Sequence, residues 1–392
     1  MTLSTAARST SDFKYHYIED VEDLEDYRPG GYHPIQIDDL DDITTSYVAV
    51  KVCTADADSR REIDILAHLS LSTVTAADSS PRKDAASGMI CKILDQFSIT
   101  GPNGTHSCIV TVPARCSLKE TREASGPGLF QLDVARSLAA QLAMSVGYVH
   151  SRGYVHADLH LGNILLQLPS TLDELSVPAL YEKFGAPDPQ TVIPLDSTQS
   201  LETGVPSHAV PPVWLGILSH ELNLQEAKLL LSDFGVAFSP FKENRLQSYT
   251  PLLIRPPEAL FEPITPLSFP SDIWSLGCNE ITAQQVELQG RMPGQWWDKW
   301  ESRDKWFYED GRPKAAECDV WDWDRRFKEW VQEPRERRGL GALGEEEKVA
   351  LLVLLKCMLR WRPGERPTAE DVLESTWMRN WAMPAYERSR LA

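Results

Sequence analysis

GYVHADLHLGNILL, Gly153–Leu166, is the stretch that decides how this chain is read. His156, Asp158, His160 and Asn163 fall within eight positions of one another and run into an apolar tail. An aspartate on a rigid loop can accept a hydroxyl proton, and an asparagine carbonyl together with a second aspartate oxygen can hold Mg²⁺ against a polyphosphate. A second aspartate stands downstream, Asp233 in SDFG, directly after the strand signal at 229–232. Upstream, Val134, Leu138, Leu142, Val146 and Val149 recur every three or four positions, which predicts a core helix over 132–149. Gly153 follows that helix where a left-handed cap is wanted, so the motif leaves a helix and enters a short strand at 164–166.

Outward from this centre, YVAVKV (Tyr47–Val52) is β-branched and reads as a strand carrying Lys51, and RREIDILAHL (Arg60–Leu69) has helical spacing. Strands are expected at 90–97 and 108–112, on either side of a GPNG turn in which Asn103 is an ordinary turn residue. The first forty or so residues are acidic and irregular and read as a surface lead-in. Residues 167–227 are rich in Pro, Ser and Thr without strong periodicity, as an insertion would be. VALLVLLKCMLRW (Val349–Trp361) is expected as a buried helix, and Thr368 with Asp371 spells a capping box.

A chain of 392 residues with 42% hydrophobic and 24% charged residues can bury a full core. Its formal charge of -18 speaks against direct nucleic-acid binding, which needs a basic surface, and favours a basic protein partner. Seven cysteines without a CxxC pair do not make a disulfide framework, so a reducing compartment, cytoplasmic or nuclear, is expected. The apolar runs are too short to cross a bilayer, so no membrane association is expected.

Taken together, VAVKV, HADLHLGN, DFG, PPE (Pro256–Glu258), SDIWSLG with Asp272, and GERPTAEDVL with Arg366 resemble, in order, six elements of the eukaryotic protein kinase superfamily. YRPGGYHPIQIDDL, FSITGPNGTHSCIV and the long insertion resemble more narrowly the kinases of serine/arginine-rich splicing factors. The resemblance implies an α+β, bilobal fold: an acidic lead-in over 1–46, a small, truncated β-rich lobe over 47–115 with its hinge at 113–115, and a large helical lobe over 116–392 that holds the insertion. It also implies a serine/threonine protein kinase that uses ATP and Mg²⁺ and acts, as a monomer, on protein substrates, Arg-Ser-rich splicing factors among them. Asp158 would act on the acceptor hydroxyl, with Asn163 and Asp233 on the metal. Lys51 would neutralise phosphates while paired with Glu62; Ala49 and Leu165 would contact the nucleotide; and His160 would stand where the family has a phosphate-binding lysine. Leu66, His156 and Phe234 match the family's apolar spine, and Glu258 with Arg366 a structural ion pair.

The chain also departs from that pattern. Only DDITTSY separates Leu40 from Val48, so roughly 25 residues containing the family's glycine-rich phosphate loop are missing. The Lys51–Glu62 spacing is about one helical turn short, which argues against that pair closing. Ala157 replaces the arginine that reads a phosphorylated activation segment, and Pro251 stands where its threonine is expected, one position after Thr250. Two other activities stay open. One is a pseudokinase or scaffold that binds nucleotide weakly. The other is a small-molecule phosphotransferase, whose HGDxHxxN loop HADLHLGN also resembles, although PPE, SDIWSLG and Arg366 speak for a protein-substrate platform.

Overall fold

This computed structural model describes residues 13–35, 46–71, 81–277, 282–315 and 320–391, and the chain within it divides into two units. Leu40 to Thr45, the greater part of the stretch where the phosphate loop is missing, lies outside the described residues. The first unit draws on Met1–His68, Cys91–Arg115 and Leu168–Leu215, the second on Leu69–Ile90, Cys116–Gln167 and Gly216–Ala392. The sequence division draws the lines elsewhere: it sets the lead-in over 1–46 apart, places 69–90 in the small lobe, and places most of the insertion in the large one.

In the first unit, β1 (Ala49–Val52), β2 (Ile93–Gly101) and β3 (Gly104–Thr111) form an antiparallel sheet in the order β1-β3-β2. Lys51 pairs with Ile109 in its register, and Gly101 with Gly104 closes the hairpin turn. Helix α1 (Ser59–Ser70) follows β1 and buries Ile65 and Leu66.

The lead-in is more than surface. Tyr15, Ile18 and Leu24 are buried in one apolar cluster with Val192, Val205 and Ala209 of the insertion. Asn103, at the turn between β2 and β3, is buried and ties the same parts together. Its Nδ2 donates to the carbonyls of Tyr32 (2.7 Å) and Gly204 (2.8 Å), and its own carbonyl accepts from Gly30 N–H at 2.8 Å. The charge pattern hides this arrangement because the acidic residues between the anchors stay at the surface.

The second unit is built on α2 (Leu132–Ser151), whose Val134, Leu138, Met144, Val146 and Val149 are buried. Burying each such side chain contributes about 1.5–3 kcal/mol, which makes this helix the axis of the unit. Gly147 of this helix faces Leu373, whose Cδ1 would lie 3.4 Å from a Cβ built there, an ordinary packing contact. Leu373 closes the helix Ala369–Leu373, which begins at a reciprocal capping box: Asp371 N–H donates to Thr368 Oγ1, and Thr368 N–H to Asp371 Oδ2. The helix Glu345–Met358 covers most of the apolar run at 349–361, and here the structure corrects the sequence reading. Val349 and Val353 are 52% and 57% exposed while Leu352, Leu354 and Met358 face the core, so the helix is half-buried.

Trp274, Trp296, Trp297 and Trp361 share a core cluster with Ile254, Phe261 and Phe307. No described helix is long and apolar enough to cross a membrane, and Cys53, Cys91, Cys108, Cys116 and Cys357 are free thiols.

Candidate active site

The catalytic stretch is shaped by its backbone before its side chains enter. Gly153, at φ +80, ends α2, and Val155 then exchanges two hydrogen bonds with Phe238, at 2.8 and 3.0 Å, fastening the loop to the segment after DFG. Ala157 and Asp233 both hold positive φ, +67 and +59, where side chains other than glycine are strained. Such conformations persist only when neighbours over-determine them.

For Ala157 the neighbour is Asp272, on helix α3 (Phe269–Gly277). Its Oδ1 accepts Ala157 N–H at 2.9 Å, and its Oδ2 accepts both His156 N–H at 2.8 Å and His150 Nε2 at 2.9 Å. Burial pushes this carboxyl upward, but the His150 hydrogen bond, the nearby imidazoles of His150 and His156 and the Ala157 amide outweigh it and hold the group below its usual value. Thr250 adds a second brace by donating its buried hydroxyl to the Ala157 carbonyl at 3.1 Å. Neither His150 nor the burial of Thr250 is readable from periodicity; only SDIWSLG announces Asp272.

Strands β4 (Ile164–Gln167) and β5 (Leu229–Leu231) pair antiparallel, Ile164 opposite Leu231 and Leu165 opposite Leu230. That register places Asn163 beside Ser232, whose N–H and hydroxyl both donate to the Asn163 carbonyl at 3.0 Å, so Asp233 comes one residue away. Asn163 Nδ2 in turn donates to the Asp158 carbonyl at 3.0 Å and to Asp158 Oδ2 at 3.3 Å. Asp158, Asn163 and Asp233 are therefore gathered at one place in the second unit, with Leu165 on the strand behind them.

Asp158 Oδ1 is buried and accepts no hydrogen bond, an orphaned acceptor of the kind a substrate hydroxyl would fill. His160 Nε2 lies 3.6 Å from Asp158 Oδ2, and its Nδ1 accepts Gly162 N–H at 3.0 Å. That bond selects the tautomer with the proton on Nε2, so His160 faces the aspartate as a donor. His156 is buried: its Nε2 donates to the Ser232 carbonyl at 3.0 Å, its Nδ1 accepts Asp158 N–H at 3.3 Å, and its ring meets Phe234 edge-on at 4.8 Å.

Lys51, Glu62 and Ala49 lie in the first unit. Lys51 Nζ meets both Glu62 oxygens, at 2.7 and 2.9 Å, with the Glu62 side chain 8% exposed. The shorter spacing thus does not prevent the pair, because Glu62 sits in the first turn of α1 and the β1–α1 connection is tight enough to bring it back over the strand. Glu258 and Arg366 form a buried bidentate pair at 2.6 and 2.7 Å.

The donor set fits magnesium. Among the described residues no group of three or more His, Cys, Asp or Glu side chains could hold a metal alone. An asparagine carbonyl and one aspartate suit an ion that takes its remaining ligands from phosphates and water.

No family model matches the chain. It is 25% identical to a serine/threonine protein kinase of Aspergillus fumigatus, with 85% of this chain and 78% of that protein covered. It is 22% identical to the serine/threonine-protein kinase SRPK of Physarum polycephalum, over 91% of each. Human SRSF protein kinase 3 is 27% identical over 47% of this chain and 37% of its own length. Among solved structures, the crystal structure of the PF14_0431 kinase domain superposes with a TM-score of 0.50 at 16% identity, covering 85% of this chain and 88% of that one. The fold is that of a protein kinase domain.

Proposed function

We propose that this chain, an SRPK-like serine/threonine protein kinase by its relatives, transfers the γ-phosphate of ATP to serine or threonine hydroxyls of basic protein substrates. The observation that carries the proposal is the buried, unpartnered Oδ1 of Asp158, on a carboxylate whose other oxygen is engaged by Asn163. In that role Asp158 accepts the proton of the acceptor hydroxyl and aligns its oxygen for attack. Asn163 and Asp233 would hold Mg²⁺, which when bound neutralises the phosphates. His160 donates its Nε2 proton toward the same oxygens, and in this reading Lys51, steered by Glu62, neutralises phosphate charge. Ala49 and Leu165 contact the nucleotide base in this reading.

Arg-Ser-rich proteins suit the net charge of -18, which attracts basic chains. A human relative is named for that substrate class. A monomer in the cytoplasm or nucleus fits the free thiols of the described cysteines.

A second reading, a kinase fold that binds nucleotide weakly, is favoured by the absence of glycine between Leu40 and Val48. Thermal shift with ATP, with and without Mg²⁺, separates the two. The kinase reading expects a Mg²⁺-dependent rise in Tm together with transfer to an Arg-Ser peptide rather than to small alcohols. No shift and no transfer would leave the second reading.

A further inference from the structure

Gly162 lies between Asp158 and Asn163, and its backbone does not explain why it is a glycine. Gly153, at φ +80, needs the freedom of a residue without Cβ, whereas Gly162 lies outside the left-handed region. What Gly162 provides is room. A Cβ built there would lie 2.8 Å from His160 Cε1 and 2.9 Å from His160 Nδ1, closer than real Cβ contacts come. The ring occupies that room, and the Gly162 N–H donates to its Nδ1 at 3.0 Å.

The loop around the ring is fastened, so it does not give way to a larger residue. Asn163 N–H donates to the His160 carbonyl at 2.9 Å, and Lys119 N–H to the Leu161 carbonyl at 3.1 Å. Ser232 holds the Asn163 carbonyl through both its N–H and its hydroxyl. A side chain at 162 therefore turns the His160 ring and leaves the backbone in place. The far end of that ring faces Asp158. Its Nε2, which carries the proton, stands 3.6 Å from Asp158 Oδ2, the oxygen that Asn163 Nδ2 approaches at 3.3 Å. At 3.6 Å the contact is longer than a hydrogen bond, and catalytic contacts of this kind tighten when substrate binds. Two donors on Oδ2 fix the plane of the carboxylate and leave the buried, unpartnered Oδ1 for the substrate.

We propose that Gly162 is a positioning residue: by lacking a Cβ it seats the His160 ring, and the ring orients Asp158. The claim rests on the kinase reading for the step it serves. In that step the hydroxyl proton passes to Asp158 Oδ1, the hydroxyl oxygen bonds the γ-phosphorus, and ADP leaves with the electron pair of the broken bond. His160 then acts on the aspartate and not as a cation on the phosphates, so its loss falls on kcat and leaves the KM for ATP alone.

The test measures kcat and the KM for ATP of the full chain with Mg²⁺ and an Arg-Ser peptide, in wild type, Gly162→Ala, His160→Ala and the double variant. Gly162→Ala is expected to fold with a Tm near wild type, because the ring yields, and to lower kcat about ten-fold or more with the KM for ATP unchanged. The double variant is expected to be no slower than His160→Ala, since the ring that the new Cβ would strike is gone. Nitrogen-15 NMR of the imidazoles, without nucleotide, reads the ring independently of transfer. The His160 signal, assigned by its loss in His160→Ala, is expected to show the proton on Nε2 and to move in both Gly162→Ala and Asp158→Asn. If the signal moves so while wild type transfers no phosphate, the kinase reading fails and the seating of the ring stands. Wild-type kcat in Gly162→Ala, losses that multiply in the double variant, a loss confined to the KM for ATP, or a His160 signal unchanged in Gly162→Ala would each overturn the proposal.

Discussion

Asp272 Oδ1 accepts the backbone N–H of Ala157 at 2.9 Å, and Ala157, at φ +67, is the residue immediately before Asp158. A buried carboxylate on one helix thus holds a strained peptide that aims the candidate proton acceptor. Asp272→Asn keeps the shape but turns one accepting oxygen into an amide NH2 that faces N–H donors. A loss of about 1–3 kcal/mol is expected in denaturant unfolding, with a lowered transfer rate.

The same residue predicts a pH dependence. Its carboxyl is held below the ordinary value in the folded chain, so its stabilising contribution is present above the unfolded value, about pH 4, and is lost as pH falls through the folded one. Wild type should lose stability as pH falls below about 4 more steeply than Asp272→Asn does. Parallel acid limbs in urea titrations of the two proteins would contradict this.

Glu62 and Lys51 are expected to separate stability from activity. Lys51 is 47% exposed, so Glu62→Gln should cost at most about 1 kcal/mol of stability. It should nonetheless lower phosphate transfer by about ten-fold or more, because Lys51 loses its steering partner. Unchanged kcat/KM in a folded Glu62→Gln protein would remove Lys51 from the site.

Glu258 and Arg366 give the opposite pattern. Both are buried and joined at two points, so Glu258→Gln leaves an uncompensated guanidinium and should destabilise the protein by about 3–5 kcal/mol. A Tm within a degree or two of wild type would show that the pair does not hold the second unit.

Asn103→Ala should release Gly204 and Tyr32 together, at a local cost of about 1–3 kcal/mol. Hydrogen exchange is expected to speed up in 192–209 and 28–33 while α2 keeps its protection. Exchange confined to the β2–β3 turn would mean that the insertion is held by other contacts.

These relationships also mark what the sequence could convey. Local chemistry was legible: the spacing of Val134, Leu138, Val146 and Val149 forecasts α2, Gly153 its end, and Thr368 with Asp371 a capping box. The gathering of Asp158, Asn163 and Asp233 was legible because β4 and β5 flank the two motifs and pair in one register. What stayed hidden depends on partners far away in the chain. Tyr15, Ile18 and Leu24 carry no periodicity that names Val192 or Val205, and Asn103 spells a turn whether or not Gly204 is near. Val349 and Val353 read as core because hydropathy does not say which face of a helix is covered.

The central claim is that Asp158 accepts the proton of a hydroxyl that attacks ATP, and steady-state phosphate transfer to a serine peptide by wild type, Asp158→Ala and Asp233→Ala tests it most directly. Asp158→Ala is expected to lose transfer by about 100-fold or more while binding ATP and Mg²⁺ as wild type does, and Asp233→Ala to lose Mg²⁺-dependent binding as well. Transfer by Asp158→Ala at the wild-type rate would contradict the account.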